Sequence, residues 1–370
     1  MTNIIDYALW RGDLPCTLVG LCPVDFLVFA QLIHAPLERL EGMGEGRPLN
    51  ELTAAVYPQA PGKDENALVH SRYELWNAMK AGARFGDATL KRFAAHFEPE
   101  EEKQFAAALF VTGDGTGVAA FRGTDATLVG WKEDFNMSFE SPVPSQREAV
   151  AFLEEAARLA DVRYVCGHSK GGNLAMYAAA MCAPQVRAKL KGVYSFDGPG
   201  LDDATLAGGG WQEVEGRVHS YVPESSIIGL LMGYREEYTI VRSDSVSLWQ
   251  HNPYYWHVLG PAFVTAQDTT LSSRFTNRTL HGFLSGCTPG QRRVLVDTLH
   301  NVLSASGART LKELPRGIAT HLDEVTAALR AVPAQDRQVA GELLGTLVEA
   351  GGDSVGALWK GWLERLERGE

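Results

Sequence analysis

The six residues Gly167-His168-Ser169-Lys170-Gly171-Gly172 constrain this chain more than any other stretch. They stand between an apolar run, Val162–Cys166, that reads as a strand and an alanine-rich run from about Lys170 to Cys182 that reads as a helix. G-x-S-x-G in a strand–turn–helix setting is the nucleophile-elbow pattern. The turn is sharp enough to strain the serine backbone, and a side chain at Gly167 or Gly171 would strike the neighbouring strand and helix. Ser169 Oγ is thereby lifted clear of the sheet. The next N–H, from Lys170, opens a helix whose unpaired donors and dipole favour a negative oxygen. The same glycines fit a plain strand-to-helix turn or a phosphate loop, but there is no Gly-Lys-Ser/Thr ending and the loop is too short to wrap a phosphate.

The surrounding texture sets the elbow in an alternating fold. Phe105–Thr112 and Val118–Arg122 read as antiparallel strands joined by Gly113-Asp114-Gly115-Thr116-Gly117. Gln146–Ala160 places Val150, Leu153 and Ala157 on one apolar helical face. Further short runs at Val193–Phe196, Val218–Val222, Tyr238–Arg242 and Val246–Trp249 read as strands, bounded by Gly, Pro or Asp. Strands alternating with helices predict an α/β sheet covered by helices. Residues 1–100 show no strand alternation and read as a helical flank of a domain spanning 1–260. Residues 261–370 read as a helical extension, with helices near Pro289–Ser304, Ile318–Ala331 and Ala334–Ala350.

Composition narrows the setting. The 45% apolar and 21% charged residues describe a folding chain rather than a disordered one. A formal charge of −11 argues against a nucleic-acid partner, because a phosphate backbone would be repelled. Five scattered cysteines fit neither a disulfide framework nor a zinc site and read as reduced core thiols. The N-terminus lacks a signal-peptide pattern, and the longest uncharged run, Gly171 to Val186, is too short to span a bilayer and contains Pro184. The expectation is a cytoplasmic protein with no transmembrane segment.

A second motif stands ahead of the elbow. Phe121-Arg122-Gly123-Thr124, then Trp131 and Asp134, then the elbow itself resemble the core signature of class 3, fungal-type lipases of the α/β-hydrolase fold. That resemblance implies an oxyanion-hole donor on Thr124, partnered by the backbone of Lys170, since a tetrahedral oxyanion needs two converging donors in place beforehand. Read without the resemblance, Gly123-Thr124-Asp125 is a turn with a helix cap. The likeness widens with Asp6-Tyr7, Trp10-Arg11-Gly12-Asp13, Val24-Asp25, Gln31, Ser195-Phe196-Asp197-Gly198-Pro199-Gly200 and Trp249-Gln250-His251. Together these resemble the Mbeg-like family of lipase-like bacterial hydrolases over roughly residues 3 to 260.

A serine nucleophile in this fold needs an acid and then a histidine further along the chain. His251 follows the run Val246–Trp249 on a loop stopped by Pro253, which makes it the natural base, with His257 its competitor. Class 3 lipases carry the base shortly before a Trp, as Trp256 stands here. Asp197 lies just beyond the strand Val193–Phe196 in a Gly-Pro-Gly turn and is the favoured acid, although an Asp beside Gly is also a common turn residue. The resemblance instead implies an acid one strand later, in an Asp-x-Val-Pro segment. Ser220 occupies that place before Val222-Pro223, leaving Glu224 as the alternative acid.

Leu128, Val129, Trp131, Phe135 and Met137 occupy the place of a lipase lid, or else are core, and Ile227-Ile228-Gly229-Leu230-Leu231-Met232 reads as pocket wall or packed helix. The chemistry expected is hydrolysis of a small ester or lipid through an acyl-serine, with no cofactor and no metal. An acyltransferase with the same triad, or a non-catalytic binding protein on the same fold, are the alternatives.

Overall fold

The computed structural model of the chain describes residues 2–40, 45–125, 127–226, 238–245, 247–270, 288–310 and 313–331. Its backbone is an eight-stranded sheet whose spatial order follows the sequence from β1 to β8. The strands are β1 (Arg47–Pro48), β2 (Thr89–Glu98), β3 (Lys103–Val111), β4 (Thr116–Phe121), β5 (Asp161–His168), β6 (Gly192–Phe196), β7 (Val218–Pro223) and β8 (Tyr238–Val241). β3 and β4 form the expected antiparallel hairpin, and β4 to β8 are parallel throughout.

β4, β5 and β6 are buried along most of their length on both faces, as parallel strands must be when crossover helices cover them, whereas β8 is largely exposed. On one face the helix Pro23–Leu32 lies against β4, β5 and β6. Phe26 stacks on Tyr194 at 4.0 Å and meets Tyr164 at 4.6 Å. The opposite face carries the helices Pro144–Leu159 and Lys170–Met181, with Phe152 edge-on to Phe121 at 5.9 Å. Because successive side chains alternate faces, Tyr164, Cys166 and His168 of β5 point with Phe26, while Val165 and Gly167 point the other way. This is an α/β arrangement, a mixed sheet with helices on both sides.

Three elements differ from their sequence reading. β2 lies in the segment expected to be helical; only Leu90 and Ala94 in it are buried, four positions apart, so no two-residue alternation marks it. Residues Ser247–His251 form a 3₁₀ helix instead of a strand, with Trp249 exposed. The helix expected over Ile318–Ala331 is two, Leu314–Thr320 and Leu322–Ala331, because His321 leaves helical backbone at φ −118°, ψ 42°. The helix at Pro289–Ala305 forms as expected. The expected helix Ala334–Ala350, the run Ile227–Met232, Val246 and Cys287 lie outside the described residues.

The chain divides into two compact units. The first comprises Met1–Phe97, Phe105–Gly123 and Pro144–His281 and carries the parallel sheet. The second comprises Glu98–Gln104, Thr124–Val143 and Gly282–Glu370. Within the second, the helix Leu128–Asn136 packs along Pro289–Ala305, and Lys132 bridges Glu102 at 2.7 Å and Asp297 at 2.9 Å. Cys16, Cys22, Cys166 and Cys182 are unpaired thiols, and burial pushes those of Cys16 and Cys182 up to about 11. Among the described residues no helix is long and apolar enough to cross a membrane.

Candidate active site

The turn after β5 has the geometry its glycines require. Ser169 adopts φ 57°, ψ −133°, a conformation that L residues avoid and that persists only where the surroundings enforce it. Enforcement comes from both sides. A Cβ on Gly167 would lie 2.0 Å from Gly171 O, at the start of the next helix, and one on Gly171 would lie 2.1 Å from Phe121 O, at the end of β4. The Ser169 N–H donates to Phe196 O at 2.9 Å, and its carbonyl accepts from Gly172 N at 2.8 Å. Ser169 is the N-cap of Lys170–Met181, so the Lys170 N–H lies in the first turn of that helix. The Lys170 side chain itself is buried.

At the end of the adjacent β6 the chain turns again through a left-handed residue, Asp197, with φ 49°. Its N–H donates to Tyr221 O on β7 at 2.7 Å, which fixes its direction. The Asp197 carboxylate is buried and lies 2.6 Å from His251 Nδ1. A carboxylate accepts only, so the imidazole carries its proton on Nδ1 and presents Nε2 as a base. The imidazole remains 26% exposed, open to a reactant, while its carboxylate partner is sealed at 1%. Ser226 Oγ donates to the other oxygen of Asp197 at 2.5 Å.

Several further residues position the turns around this pair. The buried Asn173 donates to Pro199 O at 3.3 Å and Gly200 O at 2.7 Å, and accepts from Gln146 at 2.8 Å, holding the turn that follows Asp197. Gln250 accepts from Ser225 N at 2.7 Å and donates to Ser245 O at 2.8 Å, while Trp256 Nε1 donates to Gln250 O at 2.7 Å. These bonds fix the 3₁₀ turn that carries His251. Of these, Gln250 and Trp256 fall within motifs the sequence already offered, whereas Asn173 and Gln146 carried no signal.

The remaining candidates fall elsewhere. Glu224 sits on a half-buried turn, its backbone N–H donating to Val241 O at 3.2 Å and its carbonyl accepting from Thr270 N at 2.7 Å. His257 Nε2 lies 2.6 Å from Asp244. Ser220, in the place where class 3 lipases keep their acid, is buried within β7. Gly123 closes against the elbow, where an added Cβ would lie 2.6 Å from His168 O and 3.1 Å from Ser169 Cβ. Thr124 follows it in the chain and opens a segment of the second unit, where its hydroxyl donates to Asp134 Oδ2. In that same unit Leu128 and Met137 are buried, while Trp131 and Phe135 are half-buried and meet each other at 6.3 Å.

Comparison with known proteins gives a structural likeness and a family. The crystal structure of M37 lipase resembles this chain with a TM-score of 0.37 and 14% sequence identity, covering 88% of this chain and 97% of that one. No curated protein sequence matches. The Mbeg1-like family matches residues 79–301, more than half of the chain and including Ser169, Asp197 and His251, and the protein belongs to that family.

Proposed function

We propose that the protein is a serine hydrolase that cleaves carboxylic esters through an acyl-serine intermediate. The observation that carries this reading is the buried Asp197 carboxylate 2.6 Å from His251 Nδ1, beside a strand that is followed by Ser169 at φ 57°. In this reading Ser169 Oγ attacks the ester carbonyl and His251 Nε2 takes its proton. Asp197 holds the imidazolium that results. The negative oxygen meets the Lys170 N–H, with Thr124 proposed as second donor on its place in the chain directly after Gly123. Since the Thr124 hydroxyl is committed to Asp134, the donation falls to its backbone N–H. His251 then returns the proton to the leaving alkoxide. Water, deprotonated by the same nitrogen, releases the acid and restores Ser169.

A small-molecule ester or lipid is the substrate class this chemistry takes. The test is labelling of the intact protein with a fluorophosphonate probe, followed by peptide mapping, alongside Ser169→Ala. Labelling at Ser169 and a loss on the order of a millionfold in turnover are expected. Residual activity above about a tenth in Ser169→Ala would remove Ser169 from the reaction.

A further inference from the structure

The residue between Gly167 and Ser169 takes no part in the acyl transfer just described, yet its surroundings are specific. His168 ends β5 on the face shared with the helix Pro23–Leu32 and is 7% exposed. Its Nε2 lies 2.8 Å from the backbone carbonyl of His251, and the two imidazoles meet with centroids 4.6 Å apart and planes tilted by 33°. A carbonyl only accepts, so the His168 proton sits on Nε2. The His34 ring, just past the end of that helix, meets His168 edge-on at 6.3 Å, and His34 Nδ1 faces Arg72 Nη2 at 3.4 Å. The result is a column of side chains from Arg72 through His34 and His168 to His251 and Asp197.

This column matters because of where His251 stands. It sits on a 3₁₀ turn rather than a strand, so no sheet ladder holds its backbone. His168, by contrast, is fixed in the sheet and covalently adjacent to Ser169. The charged groups facing the column are Arg72 and Arg122, the latter paired with Glu38 at 2.6 Å. Burial first, and then the neighbouring His251 and Arg72, hold His168 well below the usual imidazole range; burial, Arg72, His168, Arg122 and His251 do the same for His34. Both stay neutral and leave the transferred proton to His251.

We propose that His168 is a positioning residue for His251, its Nε2–H tethering the His251 backbone and its ring fixing the plane of the catalytic imidazole. The proposal rests on the serine-hydrolase reading above for its kinetic consequence, but not for its structural one. Three variants separate the two contributions. His168→Gln keeps an amide donor without the ring, His168→Phe keeps the ring without the donor, and His168→Ala removes both.

On p-nitrophenyl butyrate, His168→Ala is expected to lose on the order of a hundredfold in kcat with KM within about twofold, the scale set by a misplaced catalytic group. Gln and Phe should each recover part of that loss. If His168→Ala does not fold, the Gln and Phe variants carry the comparison. The second readout needs no activity: the downfield proton resonance of His251 Nδ1–H bonded to Asp197 should be sharp in the wild type and broadened or lost in His168→Phe. A kcat within twofold of wild type in His168→Ala, a loss carried wholly by KM, or an unchanged resonance in His168→Phe would overturn the proposal. Absence of fluorophosphonate labelling in the wild type would instead sink the hydrolase reading, and the resonance would still decide the role of His168.

Discussion

Two buried aspartates of the first unit are built for opposite purposes. Asp25 is sealed with Arg84, both side chains fully buried, the guanidinium reaching Asp25 Oδ1 at 2.7 Å through Nε and Oδ2 at 2.6 Å through Nη2. The other donors of Arg84 go to the carbonyls of Leu14, Val19 and Gly20, so the pair also pins the loop after the first helix. Tyr7 OH at 2.8 Å and Cys22 N at 2.7 Å complete the shell of Asp25. Burial works against the Arg84 charge, but its bonds to Asp25 more than offset it and leave the guanidinium raised. Asp197 is equally buried, yet its partner is an imidazole that remains partly open. One carboxylate has a permanent cation and a closed set of bonds; the other has a partly exposed imidazole as its partner. Burial alone therefore does not single out a carboxylate as a catalytic candidate; the chemistry and openness of its partner do.

The largest effect expected from this contrast is in turnover. Asp197→Asn keeps the shape of the side chain but no longer holds the Nδ1 tautomer or stabilises the imidazolium, and should lose roughly ten-thousandfold in kcat with a nearly unchanged melting curve. Glu224→Gln should lose less than tenfold. Measuring kcat and melting for both variants decides between them. A dead Glu224→Gln beside a working Asp197→Asn would move the acid to the loop after β7.

The sealed pair should respond in the opposite way. Arg84→Met leaves the Asp25 carboxylate buried without its cation, a defect that costs about 3–5 kcal/mol. Urea unfolding should register that loss while kcat per folded molecule stays within about threefold. A variant of full stability with crippled turnover would erase the distinction drawn between the two aspartates.

What the sequence revealed follows the same division between local and distant causes. The elbow is legible because each of its requirements is met within six residues: glycines where backbones meet, a serine at the strained position, a helix directly after. Asp197 and His251 were legible as positions after strands, but their pairing depends on a loop that the sequence suggested was a strand. Ser247–His251 coils instead, because the Gln250 side chain takes the backbone groups of Ser225 and Ser245, partners 25 and 5 positions away. Ser226 and Asn173 were invisible for the same reason, each acting on a turn distant in sequence. β2 escaped because a strand near the edge of a sheet, with Lys91, Glu98 and an exposed Phe97, shows no apolar alternation.

Ser226 allows the comparison to be sharpened at one bond. Its hydroxyl donates to the Asp197 carboxylate at 2.5 Å. Ser226→Ala should lower kcat by about tenfold, the scale of one hydrogen bond to a charged group, with little effect on unfolding. Ser226→Thr, which keeps the hydroxyl, should recover most of the rate. If the two variants behave alike, the Ser226 hydroxyl does not orient Asp197.

The smallest expected effect is on stability against pH, and it separates the two regions by what titrates in them. The groups around Asp25 hold their charge states through neutrality, Arg84 raised and the Tyr7 phenol pushed up by burial and by Asp25. Beside Asp197 and His251, the folded protein keeps His168 neutral, its proton affinity lowered chiefly by burial. The unfolded chain takes up a proton at that histidine below about pH 6.5, so acid favours unfolding, and the stability held above that pH declines as the pH falls through it. The share due to His168 is about 1 kcal/mol between roughly pH 7.5 and 5.8. Urea unfolding at those two pH values should therefore show a smaller acid loss in His168→Gln than in the wild type, by about that amount, while Arg84→Met should show the wild-type difference on a lower baseline. An acid loss unchanged in His168→Gln would mean that His168 is already protonated in the folded protein, and that the site is not the region where this molecule's pH sensitivity resides.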